Sequence, residues 1–256
     1  MFITHPTLPA DWTPSAQLLD KRVILVTGAG DGIGRAAAKA FAAHGATVIL
    51  LGKTEGKLEQ VYDEIVAAQH PEPMIVTLDL QYLQIDAADD LAKQIHDTFG
   101  RLDGLLHNAA LLGSLTTVQD YSPERWQQVM QVNCHAAFLL TRALLPLMKT
   151  APDASLVFTT SSVGRHGRAF WGAYAVSKFA VEGLVQTLAD ELETVSRVRV
   201  NAINPGGTRT RMRAAAYPGE NPETRPSADS LMPLWLYLMG PDSIGISGQS
   251  FDAQPK

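Results

Sequence analysis

Short runs of apolar and β-branched residues alternate along the chain with longer stretches in which apolar residues recur at helical spacing. The runs predicted to be strands lie at residues 23–27, 47–51, 74–79, 104–108, 156–160 and 198–204. The stretches predicted to be helices lie at residues 33–44, at 57–68, in a stretch ending at 100, at 122–148 and at 172–194. This alternation is typical of a parallel sheet covered by helices on both faces, in a doubly wound α/β fold. We expect an N-terminal extension at 1–20 and a single domain at 21–256.

Two segments interrupt the alternation, at residues 109–121 after the fourth strand and at 206–226 after the sixth. Ligands of doubly wound sheets bind beyond the carboxyl ends of the strands, where both segments begin. The 206–226 segment is therefore predicted to be either a mobile substrate lid or an ordinary surface loop. Its residues Arg209, Arg211 and Arg213 indicate either an acidic or phosphorylated substrate or a solvated loop.

The composition is that of an ordinary soluble protein, with 256 residues, 46% of them hydrophobic and 18% charged. The net charge of −5 gives no reason to expect a nucleic-acid or anionic-membrane partner. Cys134 is the sole cysteine, which is typical of a reducing compartment, and we expect a cytoplasmic protein. No apolar run approaches the ~20 residues of a membrane span, and residues 1–20 do not resemble a signal peptide.

A glycine-rich turn lies between the first predicted strand and the first predicted helix. Gly28, Gly32 and Gly34 follow the pattern T-G-x-x-x-G-x-G, with Asp31 and Ile33 between them. Glycines permit a tight turn and close approach to a pyrophosphate, which the helix N-terminus attracts through its free N–H groups and dipole. The turn therefore predicts a dinucleotide site in a Rossmann-type fold. The common spacing G-x-G-x-x-G would place a glycine at Ile33, so this is a variant of that site.

The residue after the second strand bears on which dinucleotide binds. An acidic side chain there hydrogen-bonds the adenosine ribose, whereas a basic one accepts a 2′-phosphate. Lys53 occupies this position, and no carboxylate precedes Glu55. Lys53 favours NADP, but Asp31 favours NAD because the glycine turn passes close to that ribose. NADP is the preferred prediction, and NAD is possible.

Tyr174 and Lys178 are four residues apart in a predicted helix, a spacing that places both side chains on one helical face. A phenol titrates near pH ~10 and is a poor proton donor or acceptor at neutral pH. An ammonium about 4 Å away, at an effective dielectric constant of ~20, favours the phenolate by roughly 4 kcal/mol, or about three pKa units. The pair therefore indicates either an acid–base catalyst or an ordinary pair on a helix surface.

With its other motifs in the same order, the chain resembles the short-chain dehydrogenase/reductase family from about Lys21 to Asp252. The motifs are T-G-x-x-x-G-x-G at 27–34, N-A-A at 108–110, Asn133, Ser161-Ser162, Tyr174-x-x-x-Lys178 and N-P-G at 204–206. The usual N-N-A-G appears here as His107-Asn108-Ala109-Ala110, a modest departure.

The resemblance implies a catalytic tetrad of Asn133, Ser161, Tyr174 and Lys178. Tyr174 would exchange a proton with the substrate oxygen while hydride moves to or from nicotinamide, and the serine would hydrogen-bond that oxygen. Lys178 would lower the pKa of Tyr174 and hold the nicotinamide ribose, and Asn133 would anchor a water that relays protons. The spacing of thirteen residues before Tyr174 favours Ser161, whereas the local Ser-Val-Gly pattern favours Ser162.

The resemblance also implies further contacts with the coenzyme. Asp79 would lie beside the adenine, although it could equally cap the next helix. Asn108 would lie along the adenosine, and Tyr174 and Lys178 would also contact the coenzyme. Segment 204–210 would supply the remaining contacts, from Pro205, Gly206 and Thr208 beneath the nicotinamide and from Thr210 near the pyrophosphate. The C-terminal residues 245–252 resemble the family's last turn and strand, which implies a homodimer or a homotetramer.

The function implied is an NADP(H)-preferring oxidoreductase acting on a small-molecule carbonyl or secondary alcohol. An epimerase or dehydratase of nucleotide sugars is one alternative, but such relatives have a longer region than the about fifty residues that follow Pro205. A non-catalytic dinucleotide-binding sensor or interaction protein is the other, and such proteins typically lose the tyrosine or the lysine. His107 and His135 have no partner at metal-ligand spacing, so no metal site is predicted.

Overall fold

A seven-stranded parallel sheet forms the centre of the computed structural model, which describes residues 5–254. The strands are β1 Val23–Thr27, β2 Thr47–Gly52, β3 Met74–Thr77, β4 Gly104–His107, β5 Ala154–Thr159, β6 Val198–Asn204 and β7 Ser250–Asp252. Their order is β3-β2-β1-β4-β5-β6-β7, so the direction of winding reverses between β1 and β4. The predicted doubly wound α/β class is confirmed, and ligands of such sheets bind at this reversal.

Helices cover both faces of the sheet. They are α1 Gly32–Ala43, α2 Glu55–Ala67, α3 Ile85–Phe99, α4 Pro123–Met130, α5 Ala136–Met148, α6 Gly172–Leu192, α7 Arg211–Ala216 and α8 Met232–Met239. The predicted helix 122–148 is interrupted by a π-helical segment, Gln131–His135, which joins α4 to α5. Ser122 caps α4 by accepting a hydrogen bond from the Arg125 amide, and proline occupies the first turn.

Side-chain alternation along the strands divides the core into two layers. In β1, Val23 and Leu25 pack with α3, α5 and α6, whereas Ile24 and Val26 pack with α1, α2 and α8. Every residue of β1, β4 and β5 is buried, as expected for parallel strands covered on both faces. This burial holds the carboxyl ends of the central strands, where the candidate site lies, in a rigid frame.

The C-terminal part of the fold differs from the sequence prediction. Helix α8 was not predicted, because seven of its eight residues are buried and it has no polar stripe to reveal a helical period. The 206–226 segment is not irregular throughout, since it contains α7. Thr210 caps α7 by accepting a hydrogen bond of 3.1 Å from the Arg213 amide.

The chain before β1 packs against the domain through several side chains. Leu18 and Leu19 are buried in the layer that contains α8. The Trp12 ring meets the edge of Tyr237 at 5.3 Å between centroids and donates a 2.8 Å hydrogen bond to Asp242. Residues 1–4 of the predicted extension lie outside the described residues. Between residues 5 and 254, no helix is both long enough and apolar enough to span a membrane.

Replacing Trp235 with alanine is expected to lower the free energy of unfolding by about 3–5 kcal/mol, because Trp235 is fully buried in α8. Trp235→Phe should lower the free energy of unfolding by less, since it leaves a smaller cavity and removes an indole N–H that has no hydrogen-bond partner. Urea denaturation followed by circular dichroism at one protein concentration measures both changes. The matched control is Val195→Ala, at a residue 68% exposed, which should change stability by less than about 0.5 kcal/mol. Equal losses in Trp235→Ala and the control would contradict this account.

Candidate active site

A cavity of about 410 Å³ opens at the carboxyl edge of the sheet, between the strand ends and the 206–226 segment. All the predicted site residues line it except Gly34 and Asn133. Those that do are Gly28, Asp31, Gly32, Ile33, Lys53, Asp79, Asn108, Ser161, Tyr174, Lys178, Pro205, Gly206, Thr208 and Thr210. The fold therefore brings motifs that are far apart in the sequence into one site.

The glycine turn has the backbone geometry of an anion-binding cradle. Gly28 and Gly32 have φ angles of +69° and +50°, which residues with a Cβ atom rarely adopt. A Cβ at Gly34 would lie 2.2 Å from the Gly28 carbonyl oxygen, so the helix can approach the turn this closely only at a glycine. The N-terminus of α1 follows at once and directs its dipole toward the cavity. These features fit the pyrophosphate of a dinucleotide.

The carboxylate of Asp31 is already engaged by neighbouring groups. It accepts a hydrogen bond of 2.8 Å from the Gly32 amide, which caps α1. It also forms ion pairs with Lys57, at 2.9 Å, and with Arg211. Two cations thus offset its charge, which weakens the argument from Asp31 for NAD. The sequence analysis missed Lys57 as a site residue, although its position four residues after Lys53, in the first turn of α2, was a usable signal.

Lys53 and Asp79 lie on the side of the cavity formed by β2 and β3. Lys53 is exposed and has no carboxylate partner among residues 5–254, so its ammonium is available to an anionic ligand. Asp79 does not cap the next helix, because its side chain accepts a hydrogen bond of 3.0 Å from the Gln81 amide and α3 begins only at Ile85. The capping alternative for Asp79 is therefore wrong.

Asn108 joins the ends of three neighbouring strands. Its backbone N–H donates to the Thr27 hydroxyl at 2.9 Å, and its side-chain Nδ2 donates to the Thr27 carbonyl at 3.3 Å. Its side-chain oxygen accepts a hydrogen bond of 3.3 Å from the Thr159 hydroxyl. Asn108 thus cross-links β1, β4 and β5 at the edge where the cavity opens.

Tyr174 and Lys178 extend from α6 into the cavity and are only 8% and 3% exposed. The Lys178 ammonium lies 5.6 Å from the centre of the Tyr174 ring and donates a 2.7 Å hydrogen bond to the Thr159 carbonyl. This arrangement excludes the alternative of an ordinary surface pair. The helix therefore presents a phenol and an ammonium together in a buried pocket.

The pKa values of this pair differ from the sequence expectation. Burial raises the pKa of Tyr174 to about 12, and only the hydrogen bond with Ser161 opposes this rise. The expectation that the pKa of Tyr174 lies toward neutrality is wrong, because burial shifts it in the opposite direction. Burial also lowers the pKa of Lys178 to about 8, and the nearby Glu182 carboxylate partly offsets that change. At neutral pH the phenol is protonated and the amine is charged.

The two candidate serines differ in position. Ser161 has extended backbone geometry and lines the cavity next to Tyr174. Ser162 begins a short 3₁₀ turn and is exposed to solvent. The geometry brings Ser161, and not Ser162, to the phenol.

Asn133 lies in the π-helical segment, and its side chain cross-links that segment to Leu111 and Ser177 by hydrogen bonds. Its oxygen accepts a 2.7 Å hydrogen bond from the Leu111 amide, and its nitrogen donates to the Leu111 carbonyl at 2.9 Å and the Ser177 hydroxyl at 3.0 Å. A separate void of about 10 Å³, close to the size of one water molecule, lies between Asn133, His107 and Lys178. The water-anchoring role of Asn133 stays a prediction.

His107 is buried next to Lys178. Its Nε2 lies 2.9 Å from the Thr141 hydroxyl, and its ring stacks on Phe158 at 4.7 Å between centroids. Burial, and to a smaller extent the Lys178 charge, lower the pKa of His107 to about 3, so the imidazole is neutral. Within residues 5–254, no group of three or more histidine, cysteine, aspartate or glutamate side chains is placed to hold a metal ion.

The C-terminal strand positions the segment after β6. Gln254 donates a hydrogen bond of 2.7 Å to the Pro205 carbonyl, and Asp252 accepts one of 2.8 Å from Asn204. The same Asp252 carboxylate pairs at 2.6 Å with Arg165, which follows the serine loop. These contacts hold the loops after β5 and β6 in fixed relation on either side of Tyr174.

The distal end of the cavity is formed by residues that motif reasoning did not assign. Trp171 precedes Tyr174 on the chain and was considered only as a possible pocket residue. Met212 and Tyr217 come from α7 and its C-cap, and Leu112 comes from the 109–121 segment. Their spacing in the sequence carries no motif, because they meet only through the tertiary fold.

Comparison with known proteins agrees with this geometry. A model of the short chain dehydrogenase family matches residues 22–221. An uncharacterized oxidoreductase of Escherichia coli strain K12, YciK, is 53% identical over 244 residues, which cover 95% of this chain and 96% of that protein.

Solved structures show the same likeness over nearly the whole chain. A Pseudomonas syringae protein assigned to the short chain dehydrogenases has a TM-score of 0.94 and 58% identity, covering 95% of this chain and 99% of that one. A Shigella flexneri protein with the same assignment, complexed with NADP, has a TM-score of 0.92 and 53% identity, covering 94% and 100%. The chain therefore belongs to the short-chain dehydrogenase/reductase family of oxidoreductases.

Proposed function

We propose that this protein is an NADP(H)-preferring oxidoreductase that moves hydride between nicotinamide and a carbonyl or secondary alcohol, with Tyr174 as general acid and base. The observation that carries the proposal is the meeting of Tyr174, Ser161 and Lys178 in one cavity that also contains the glycine cradle. A phenol, a hydroxyl and an ammonium in that arrangement can exchange a proton with a carbonyl oxygen and stabilise its charge.

The protonation states favour carbonyl reduction at neutral pH. A bound nicotinamide coenzyme supplies the hydride for reduction. Tyr174 retains its proton, because burial raises its pKa to about 12, and donates it to the substrate oxygen. Ser161 donates a hydrogen bond to the same oxygen and stabilises its developing negative charge. The Lys178 ammonium then favours the phenolate that remains. Asn133 hydrogen-bonds to Leu111 and to Ser177, which is next to Lys178 on α6. These bonds keep Tyr174 and Lys178 in position.

NADP is the coenzyme that the site residues favour. The cradle at 28–34 and the N-terminus of α1 would hold the pyrophosphate. Lys53 would hold the 2′-phosphate, and the ion pairs of Asp31 with Lys57 and Arg211 reduce repulsion by its carboxylate. The NADP complex of the Shigella flexneri relative supports the same choice. NAD stays possible as a weaker ligand.

The non-catalytic alternative has no observation in its favour. A dinucleotide sensor needs the glycine cradle but does not need a buried phenol next to a serine and a lysine. Here Tyr174 and Lys178 are both present and both line the cavity, so an acid–base apparatus is retained. Catalysis therefore accounts for more of the structure than binding alone.

Oligomeric state and location are further parts of the proposal. A homodimer or homotetramer is supported by three large apolar side chains that are exposed on α5 and α6, Phe138, Val176 and Phe179. Light scattering would check this, and a monomeric mass would contradict it. A cytoplasmic location is supported by the single cysteine, Cys134, which is free.

Tyr174→Phe is expected to lower kcat for NADPH-dependent carbonyl reduction by about 10²–10⁴-fold, because it removes the proton donor. Ser161→Ala should lower kcat by about 10²–10³-fold, since it removes one donor to the developing oxyanion. Ser162→Ala is the matched control and should leave kcat nearly unchanged. A panel of aldehydes, ketones and quinones, followed by NADPH absorbance, measures all three. Wild-type speed in Tyr174→Phe, with the coenzyme bound, would refute the proposed role.

The pH profile of reduction should report the charge of Lys178. Reduction by the wild-type protein is expected to fall above a pH of about 8, where Lys178 loses its proton. Glu182→Gln removes the negative charge that raises the pKa of Lys178, so the falling limb of kcat/KM should move to lower pH. Glu191→Gln, at an exposed residue on the same helix, should leave the limb in place. An unchanged limb in Glu182→Gln would show that Lys178 does not control it.

Lys53→Ala is expected to raise the Kd of NADPH by about 10-fold, because a charge-assisted hydrogen bond to the 2′-phosphate is lost. The Kd of NADH should change by less than about twofold. Fluorescence titration of both coenzymes measures the difference, with Lys93→Ala on α3 as a surface control. Tighter binding of NADH by the wild-type protein, or equal losses for both coenzymes, would refute NADP preference.

A further inference from the structure

The cavity beyond the phenol is walled by aromatic and apolar side chains. Trp171 lies 5.7 Å from Tyr174 and 6.0 Å from Tyr217, measured between ring centroids. Leu112 and Met212 pack against the cluster that contains Tyr174. A substrate whose carbonyl oxygen reaches Tyr174 therefore places the rest of its body against this surface.

Tyr217 is held in place from two sides. The Arg213 guanidinium lies 3.6 Å from the centre of its ring, a stacking distance, and a bidentate ion pair with Glu220 at 2.6 and 2.7 Å fixes Arg213 in turn. Arg168 donates a 2.7 Å hydrogen bond to the Tyr217 hydroxyl. The ring is thus preorganised as part of the wall.

The arginines that follow β6 are all engaged by carboxylates. Four arginines of the 206–226 segment each form an ion pair with a carboxylate. The pairs are Arg209 with Glu223, Arg211 with Asp31, Arg213 with Glu220 and Arg225 with Glu220. Arg168 has no carboxylate partner among residues 5–254, but it is exposed and does not line the cavity. An acidic or phosphorylated substrate would have to break one of these pairs.

We propose that the substrate is a neutral carbonyl compound with a flat, unsaturated ring next to its carbonyl group, and that Trp171 and Tyr217 select it by packing against that ring. This inference rests on the proposed function and names its substrate class. Ring-to-ring packing contributes beyond simple burial of area. An anionic group would lose hydration on this surface, where the lining arginines Arg211 and Arg213 are already paired with carboxylates.

Three ketones that differ in one property each test the proposal, with NADPH as reductant. Acetophenone is flat and neutral, cyclohexyl methyl ketone is neutral but puckered, and para-acetylbenzoate is flat but anionic. We expect kcat/KM for acetophenone to exceed that for cyclohexyl methyl ketone by about 3- to 10-fold, the range of aromatic pair energies. It should exceed that for para-acetylbenzoate by more than about 10-fold, the cost of an unpaired buried charge.

Variants of Trp171 and Tyr217 test whether these two rings cause any preference for acetophenone. Tyr217→Leu and Trp171→Leu should each reduce the ratio of acetophenone to cyclohexyl methyl ketone toward one. Tyr217→Phe keeps the ring and should keep the ratio, and Tyr82→Leu, at an exposed tyrosine distant in sequence, is the surface control. Persistence of the ratio in both leucine variants would overturn the proposal.

The outcome separates this inference from the proposed function. Best turnover of para-acetylbenzoate, or of cyclohexyl methyl ketone, overturns the flat neutral substrate and leaves the oxidoreductase intact. Failure of all three ketones also overturns the inference. In that case, turnover of any member of a wider aldehyde and quinone panel upholds the proposed function, and coenzyme binding with no turnover on that panel contradicts both.

Discussion

The hydrogen bond from the buried ammonium of Lys178 to the Thr159 carbonyl joins the helix that carries the phenol to the end of β5. The Thr159 hydroxyl continues this connection to Asn108, and Asn108 continues it to Thr27 at the end of β1. Hydrogen bonds therefore connect α6 to the carboxyl ends of β5, β4 and β1. Because a buried ammonium cannot be left without a partner, this bond also determines where Tyr174 lies one turn earlier.

Much of the sheet could be predicted because its strands are apolar runs bounded by polar or glycine-rich residues. The strands Val23–Thr27 and Val198–Asn204 begin and end as the pattern predicts. Helix α8 could not be predicted, since a short helix that is buried on nearly all sides has no amphipathic period. The π-helical segment Gln131–His135 could not be predicted either, because a local change in backbone hydrogen bonding does not alter the pattern of apolar and polar residues.

The site was predictable where chemistry depends on local motifs, and not where it depends on distant neighbours. The glycine cradle and the Tyr174–Lys178 spacing are local, and both motifs meet at the cavity. The pKa of Tyr174 depends on burial by several elements, so spacing alone gave the wrong direction. The same is true of Asp31, whose partners Lys57 and Arg211 come from α2 and from the 206–226 segment.

Asn133, in the π-helical segment, binds the backbone of Leu111 on one side of the cavity through its Oδ1 and Nδ2 atoms. The opposite side, residues 206–226, is attached to the glycine turn by the exposed ion pair Arg211–Asp31, and such a pair contributes only about 0–1 kcal/mol. Changes in that segment therefore cost the fold little. Homologous chains can therefore vary in this segment while the hydrogen bonds among Lys178, Thr159 and Asn108 are kept.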